Sequence, residues 1–231
     1  MFDLHGFGQQ LLSGALITLE LGVLSMAVAV GLGLVFAPMK AAPIAPLRWI
    51  ATTYTTVVRG LPELLIILLV FFGASRALSG AAEFVGYEGR VELSAFAAGM
   101  MALGFAYGAY TTETIRGALL AIPKGQVEAA RAIGMNGWLT FRRVILPQLW
   151  RIALPGLGNL FLGLLKDTAL VSVIGVEDLT REAAIATGFT KEPFTFYFAA
   201  TILYLCMTVL CVTGIHYMEK LAGRGYAKGS T

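Results

Sequence analysis

Six ionisable residues fall within or at the edge of long apolar runs: Glu20, Glu63, Glu113, Arg116, Lys166 and Asp167. Charges in hydrocarbon are costly, so such residues pair with one another or mark a solute path. Glu113 and Arg116 are three residues apart and share one helix face. Two readings stand: a structural ion pair, or an inner gate that touches a cationic solute. Lys166 and Asp167 are adjacent, and sequence neighbours project about 100° apart on a helix. Each therefore meets another helix or an aqueous path. Asp167 suits a basic side chain or a solute α-amino group, and equally a bridge to a partner subunit. Their position in the run places both in the outer half of a span. Glu63 follows Pro62 and is expected near the cytoplasmic surface, reaching headgroup water. Glu20 is mid-run and is expected to face protein or water.

Enzyme chemistry finds little support. The chain has no GxxxxGK[ST] phosphate loop, so ATP cannot be hydrolysed here by that route. His5 and His216 lie at opposite ends, which disfavours a histidine-based catalytic site. Cys206 and Cys211 would lie about 7.5 Å apart along one helix axis. That is poor disulfide geometry, and their spacing matches no metal motif. No catalytic, cofactor or metal-binding set is expected in this chain.

Composition explains what must position these charges. Of 231 residues, 57% are hydrophobic and 13% charged, whereas soluble domains carry about 25% charged residues. Mean hydropathy is +0.76. A net charge of +3 is too small to argue for nucleic acid. A membrane-crossing helix needs about 20 mostly apolar residues. Five runs qualify: Leu11 to Phe36, Leu61 to Leu78, Leu93 to Tyr110 continuing to Ile122, Ile152 to Ile174, and Phe194 to Tyr217. The alternation of a barrel is missing. The expected fold is an all-α polytopic membrane protein in one domain, residues 1–231. Residues 44–58 hold Arg48, Trp49, Tyr54 and four threonines. An interfacial amphipathic helix or elbow fits them, as does an extension of the second span.

Basic residues set an orientation. Lys40, Arg48, Arg59, Arg116, Lys124, Arg131, Arg142, Arg143, Arg151, Lys220, Arg224 and Lys228 share one side if there are five spans. Arg76, Arg90, Arg181 and Lys191 lie on the other. The expectation is an N-terminus outside and a C-terminus in the cytoplasm.

The connection at about residues 123–147 is more than a tether. Pro123 can open a helix. Val127, Ala130, Ile133 and Gly134 then recur on one face, and Gly134 and Gly137 permit sharp turns. Trp138, Phe141 and Val144 form a second apolar stripe. Such a helix suits docking into a partner's groove, or rests on the membrane surface and only organises the loop.

Here a resemblance enters. Glu128-Ala129-Ala130, three residues, Gly134, nine residues, Val144, one residue, then Leu146-Pro147 resembles the EAA motif of binding-protein-dependent ABC importer permeases. Val144 stands where the motif has isoleucine. Arg59-Gly60-Leu61-Pro62-Glu63-Leu64 is similar to an RGxPxL element of polar amino acid permeases. The runs Gly108 to Ala130 and Leu165 to Leu170 are similar to theirs too. The pattern looks closest to permeases for histidine, lysine, arginine and ornithine, and to opine importers. The resemblance implies the type I ABC importer transmembrane fold in the bacterial inner membrane. It implies that Glu128, Ala129, Ala130, Gly134, Leu146 and Pro147 couple the chain to two ATPase subunits, which bind ATP and magnesium. It also implies a second permease, related or identical, and an extracytoplasmic amino acid-binding protein. Glu113, Arg116, Asp167, Lys166 and Glu63 are then candidates for the substrate path or gate.

Two other readings compete. An ion-coupled secondary transporter would favour inverted repeats and paired broken helices, which are not evident. A non-transporting membrane scaffold would leave the intramembrane charges without a task.

Overall fold

A computed structural model describes residues 4–84 and 93–223. The expectations for Arg90, Arg224 and Lys228 lie outside these residues. The described chain is helix joined by short turns, with no strand among the described residues.

The organising contact is between α1 (Gly8–Ala41) and α4 (Ala95–Leu120), the most extensive helix pairing in the molecule. Ser94 caps α4 by accepting the Ala97 N–H at 3.2 Å. Glycine lets the two backbones approach. Gly33 lies against Thr111 and Ile115, Gly104 against Val28, and Gly108 against Leu32 and the Tyr54 hydroxyl. Small residues of this kind favour close packing of membrane helices. The Gly104–Gly108 spacing thus serves packing within this chain.

The other helices assemble around this pair. A short α2 (Ala45–Val58) packs on α1 and α4, and α3 (Glu63–Phe84) packs on α4. Then come α5 (Lys124–Ala132), the single turn α6 (Gly137–Thr140) and a π-helical segment at Phe141–Ile145. That segment leads into α7 (Leu146–Asp167), which tightens to a 3₁₀ stretch, Thr168–Ile174. Gly175, at φ +93°, ends it in the left-handed region, where glycine is favoured. The chain finishes with α8 (Leu179–Thr190) and α9 (Pro193–Ala222).

The spans differ from the expected five in an instructive way. Among the described residues, Gly8–Ala41, Gly137–Ile174 and Pro193–Ala222 are each long and apolar enough to cross a membrane. The pair Ala45–Val58 and Glu63–Ala77, bent by 110°, passes only when taken together. Residues 44–58 are therefore an elbow joined to the second span. Helix α4 is long but does not pass, because glycine, threonine and tyrosine dilute its apolar content. Its neighbours bury it on several sides, so its surface need not match lipid. The stretch expected as the fourth span also changes character, from α-helix to 3₁₀ after Asp167.

Helix α8 lies between the last two spans and was not expected. Asp178 caps it, accepting the N–H groups of Thr180 at 3.1 Å and Arg181 at 3.2 Å. The Leu179 N–H donates to Thr18 Oγ1 of α1 at 3.1 Å, and Gly14 of α1 leaves room for the Leu179 backbone. Asp178 is fully buried in the chain. That burial pushes its carboxyl up to about 6, although the two amides pull the other way.

Two predictions follow from this packing. A methyl group on Gly104 would meet Val28 Cβ at 2.7 Å and the Ser25 carbonyl oxygen at 3.2 Å. Gly104→Ala should lower stability by about 1–3 kcal/mol through overpacking. Gly31→Ala, with open space at its Cβ, should be neutral or slightly stabilising. Thermal unfolding in detergent compares the two. For Asp178, the folded state holds the proton more tightly than the unfolded state does. Its contribution to stability is therefore full below about pH 4 and is lost as pH rises through the folded value. Asp178→Asn should remove that decline between about pH 4 and 6. A difference in unfolding midpoint that stays constant across this range would contradict the assignment.

Candidate functional site

Polar groups meet midway along α4, where Tyr107 and Tyr110 lie one turn apart with ring centroids 5.8 Å from each other. The Tyr107 hydroxyl donates to Asp167 Oδ2 at 2.7 Å. The Tyr110 hydroxyl donates to Glu63 Oε1 at 3.2 Å. Arg59, which ends α2, places its guanidinium 5.4 Å from the centre of the Tyr110 ring. Cations are attracted to an aromatic face at such distances. Gly163 of α7 faces the Tyr107 hydroxyl and leaves room for it.

The bend between α2 and α3 explains why Glu63 is here. It was expected beside the cytoplasmic surface, but it meets the middle of α4. Because α2 folds back on α1 and α4, the bend carries Arg59 and Glu63 to Tyr110. Asp167 reaches the same region from the end of α7. Lys166 is exposed, and its charge still acts on Asp167, although the two project about 100° apart. The arrangement presents two carboxylates held by phenols, with one cation over a ring. It is suited to polarising or receiving a charged solute, and it has no nucleophile–base pair.

A second cluster lies further along α4. Glu113 is paired with Arg116 at 2.9 Å, as their spacing predicted. It also accepts from Lys40 near the end of α1. Lys40 in turn donates to Thr55 Oγ1 of α2 at 2.7 Å. Glu20 is elsewhere: it is exposed and lines a groove of about 350 Å³ with Ile17, Phe96 and Glu177. Its neighbours are the start of α4 and the turn before α8, so it is near one end of the bundle.

Helix α5 stands at the edge of the bundle. Glu128 and Ala129 are exposed, and Ala130 is buried. The single expected stripe is split. The helix stops at Ala132, and Gly134 adopts φ +82°, a left-handed geometry that terminates helices. Ile133 consequently leaves the packed face and is 75% exposed; Trp138 is 69% exposed. Glu128 lines a groove of about 320 Å³ with Leu119, Ile122, Lys124, Val127, Arg131 and Ile145. Leu146 and Pro147, both exposed, begin α7 directly after the π-helical segment.

Several of these partners were not singled out from sequence. Lys40 had been counted only as a loop charge and Tyr107 only as a span residue, while Arg59 and Tyr110 entered also through the family resemblance but not as partners of these charges. A signal was present. Tyr107, Tyr110, Glu113 and Arg116 recur every three residues, a polar stripe along an otherwise small and apolar helix.

Comparison with known proteins identifies the family. The family described as binding-protein-dependent transport system inner membrane component matches residues 29–220. The nopaline transport system permease protein NocQ of Agrobacterium fabrum is 46% identical over 221 residues, covering 95% of this chain and 94% of its own length. The histidine/lysine/arginine/ornithine transport system permease protein HisQ of Escherichia coli is 42% identical over 217 residues, covering 94% and 95%. A solved chain of an amino acid ABC transporter with histidines superposes with a TM-score of 0.76 at 36% identity, over 92% of this chain and 94% of that one. With relatives matching along almost its whole length and its EAA residues presented around an exposed helix, the chain belongs to the family of inner membrane components of binding-protein-dependent transport systems.

Proposed function

We propose that this chain forms half of the translocation path of an ATP-driven importer of basic amino acids or opines, and couples that path to ATPase subunits through α5. The observation that carries this is the exposure of Glu128 and Ala129 on α5 and of Ile133 and Gly134 in the turn that ends it. An apolar end beside a charged face suits insertion into a partner's groove. Two ATPase subunits occupy that position, and ATP and magnesium bind to them. A second permease, related or identical, completes the enclosure. An extracytoplasmic binding protein delivers the solute.

The substrate class rests on two supports. The relatives serve nopaline and histidine/lysine/arginine/ornithine transport systems. The mid-bundle cluster offers Glu63 and Asp167 to cationic groups and Arg59 to a carboxylate. A phenol hydroxyl donates to one oxygen of each carboxylate. Lys166 lies at the exposed edge of that region. Nucleotide binding draws the ATPases together and shifts the spans between inward and outward openings, because the two states bind nucleotide with different affinity.

Purification of a tagged chain from native membranes in mild detergent should bring down a phosphate-loop ATPase. Glu128→Lys should leave the chain in the membrane, release much of that ATPase and abolish solute-stimulated hydrolysis. Normal uptake in this variant would count against the coupling role. Within the path, Asp167→Asn should preserve assembly and basal hydrolysis. It should lower uptake of a cationic amino acid about tenfold, equivalent to about 1.4 kcal/mol. Unchanged uptake kinetics in vesicles would remove Asp167 from the path.

A further inference from the structure

Among the described residues, Lys40 of α1 donates both to Glu113 of α4 and to Thr55 of α2, and so joins three helices. The side chains of Lys40 and Glu113 are only 18% and 19% exposed, and Thr55 is buried. Arg116 holds the second oxygen of Glu113. A charged group withdrawn from water to this degree interacts strongly with its partner, and loss of either one is disruptive.

The position of this cluster matters more than its strength. Between α4 and α5 there are only three residues, Ala121, Ile122 and Pro123. Ile122 is buried in one apolar cluster with Ala37 of α1, Ile115 of α4 and Leu149 of α7. The linker before α5 is thereby packed against the parts of α1 and α4 next to Lys40 and Glu113. On the other side, Thr55 is four residues before Arg59. Arg59 and Glu63 flank the 110° bend and both engage Tyr110. A rigid α2 thus runs from the clasp to the mid-bundle cluster.

We propose that Lys40 is a positioning residue that makes α2 move with α5, so that motion at the coupling helix sets how Arg59 and Glu63 close on Tyr110. This rests on the coupling role assigned to α5, and it names the path by which coupling reaches the solute. Apart from the clasp, α2 is held by Tyr54, whose hydroxyl donates to the Phe105 carbonyl at 2.7 Å, and by apolar contacts. Those contacts lie beside Thr55 on the same half of α2, but they are apolar or reach a backbone carbonyl, so Lys40 supplies the ionic tie from this region to Glu113.

The test uses the complete transporter in lipid nanodiscs, with Cys206 and Cys211 replaced by alanine. Spin-label pairs are placed at exposed positions: Thr53 of α2 with Val209 of α9, and Gln126 of α5 with Val209. In the parent chain, trapping ATP should change both distances. Lys40→Arg should behave alike, because it keeps the charge and the donors. Lys40→Met should still change the Gln126–Val209 distance, lose the Thr53–Val209 change, and lower uptake per ATP hydrolysed about tenfold. Should Lys40→Met fail to assemble, Thr55→Val removes the contact to α2 alone and should decouple the Thr53–Val209 distance in the same way. A Thr53–Val209 change that persists in the assembled variant, even with a lower unfolding temperature, overturns the proposal and leaves Lys40 a stabilising residue. If Gln126–Val209 does not respond to ATP in the parent chain, the coupling role of α5 itself has failed.

Discussion

The structure depends on how closely α1 and α4 approach. In lipid there is no hydrophobic drive to bring two apolar helices together, so close packing of small residues must do it. Gly33, Gly104 and Gly108 provide the notches, and Val28, Leu32, Thr111 and Ile115 fill them. The seam then places everything else. Tyr54 of α2 enters beside Gly108, with its ring 4.5 Å from Phe36 and 5.0 Å from Phe105. Tyr107, on another side of α4, faces Gly163 of α7. Further along, Gly156 of α7 accommodates Thr114. With α1, α2, α3 and α7 all against it, α4 is freed from matching lipid and can carry tyrosine, threonine, glutamate and arginine.

Those polar residues are arranged in two different ways. Glu113 meets two cations, Lys40 and Arg116, and its charge is more than balanced. Such a group ties helices together. Glu63 and Asp167 each meet a phenol, with the Arg59 guanidinium over the Tyr110 ring and the exposed Lys166 beside Asp167 in sequence. A phenol satisfies one lone pair of a carboxylate but leaves its charge intact. The first arrangement is closed, and the second is open to a further cation. Both ends of one helix stripe thus carry acidic groups with opposite uses, decided by what the neighbouring helices bring.

How much of this was legible in the sequence follows from the range of each interaction. Local signals were read well. The Glu113–Arg116 pair needed only a three-residue spacing, and the helix over 95–120 only its apolar run. Features set by tertiary contact were harder. Nothing local says that α2 folds back by 110°, so Glu63 was placed at the surface when it lies midway along α4. The reach of Lys40 to Glu113 spans a separation of 73 residues, and a lysine after a proline-containing turn reads as a loop charge. Helix α8 is short, and its cap Asp178 reads as one of several acidic loop residues. Its burial against α1 depends on Thr18 and Gly14, far earlier in the chain. The split of the α5 stripe at Ile133 was within reach, since Gly134 invites a helix end.

The irregular stretches of backbone sit beside the polar clusters, and this has a physical reason. Non-helical backbone at membrane depth is tolerated only where protein or a water-filled path satisfies it. The bend at residues 59–62 lies beside Tyr110, and the 3₁₀ stretch begins immediately after Asp167. The π-helical segment at Phe141–Ile145 separates the coupling region from α7. The first two breaks therefore join helices packed on α4 to residues of the mid-bundle cluster. Regular helices supply rigidity, and their breaks supply the places where carboxylates and cations enter the bundle. A chain of uniformly apolar straight spans would pack as well against lipid but would have nowhere to hold a charged solute. The glycine seam lets these departures from regular helix exist without loosening the bundle.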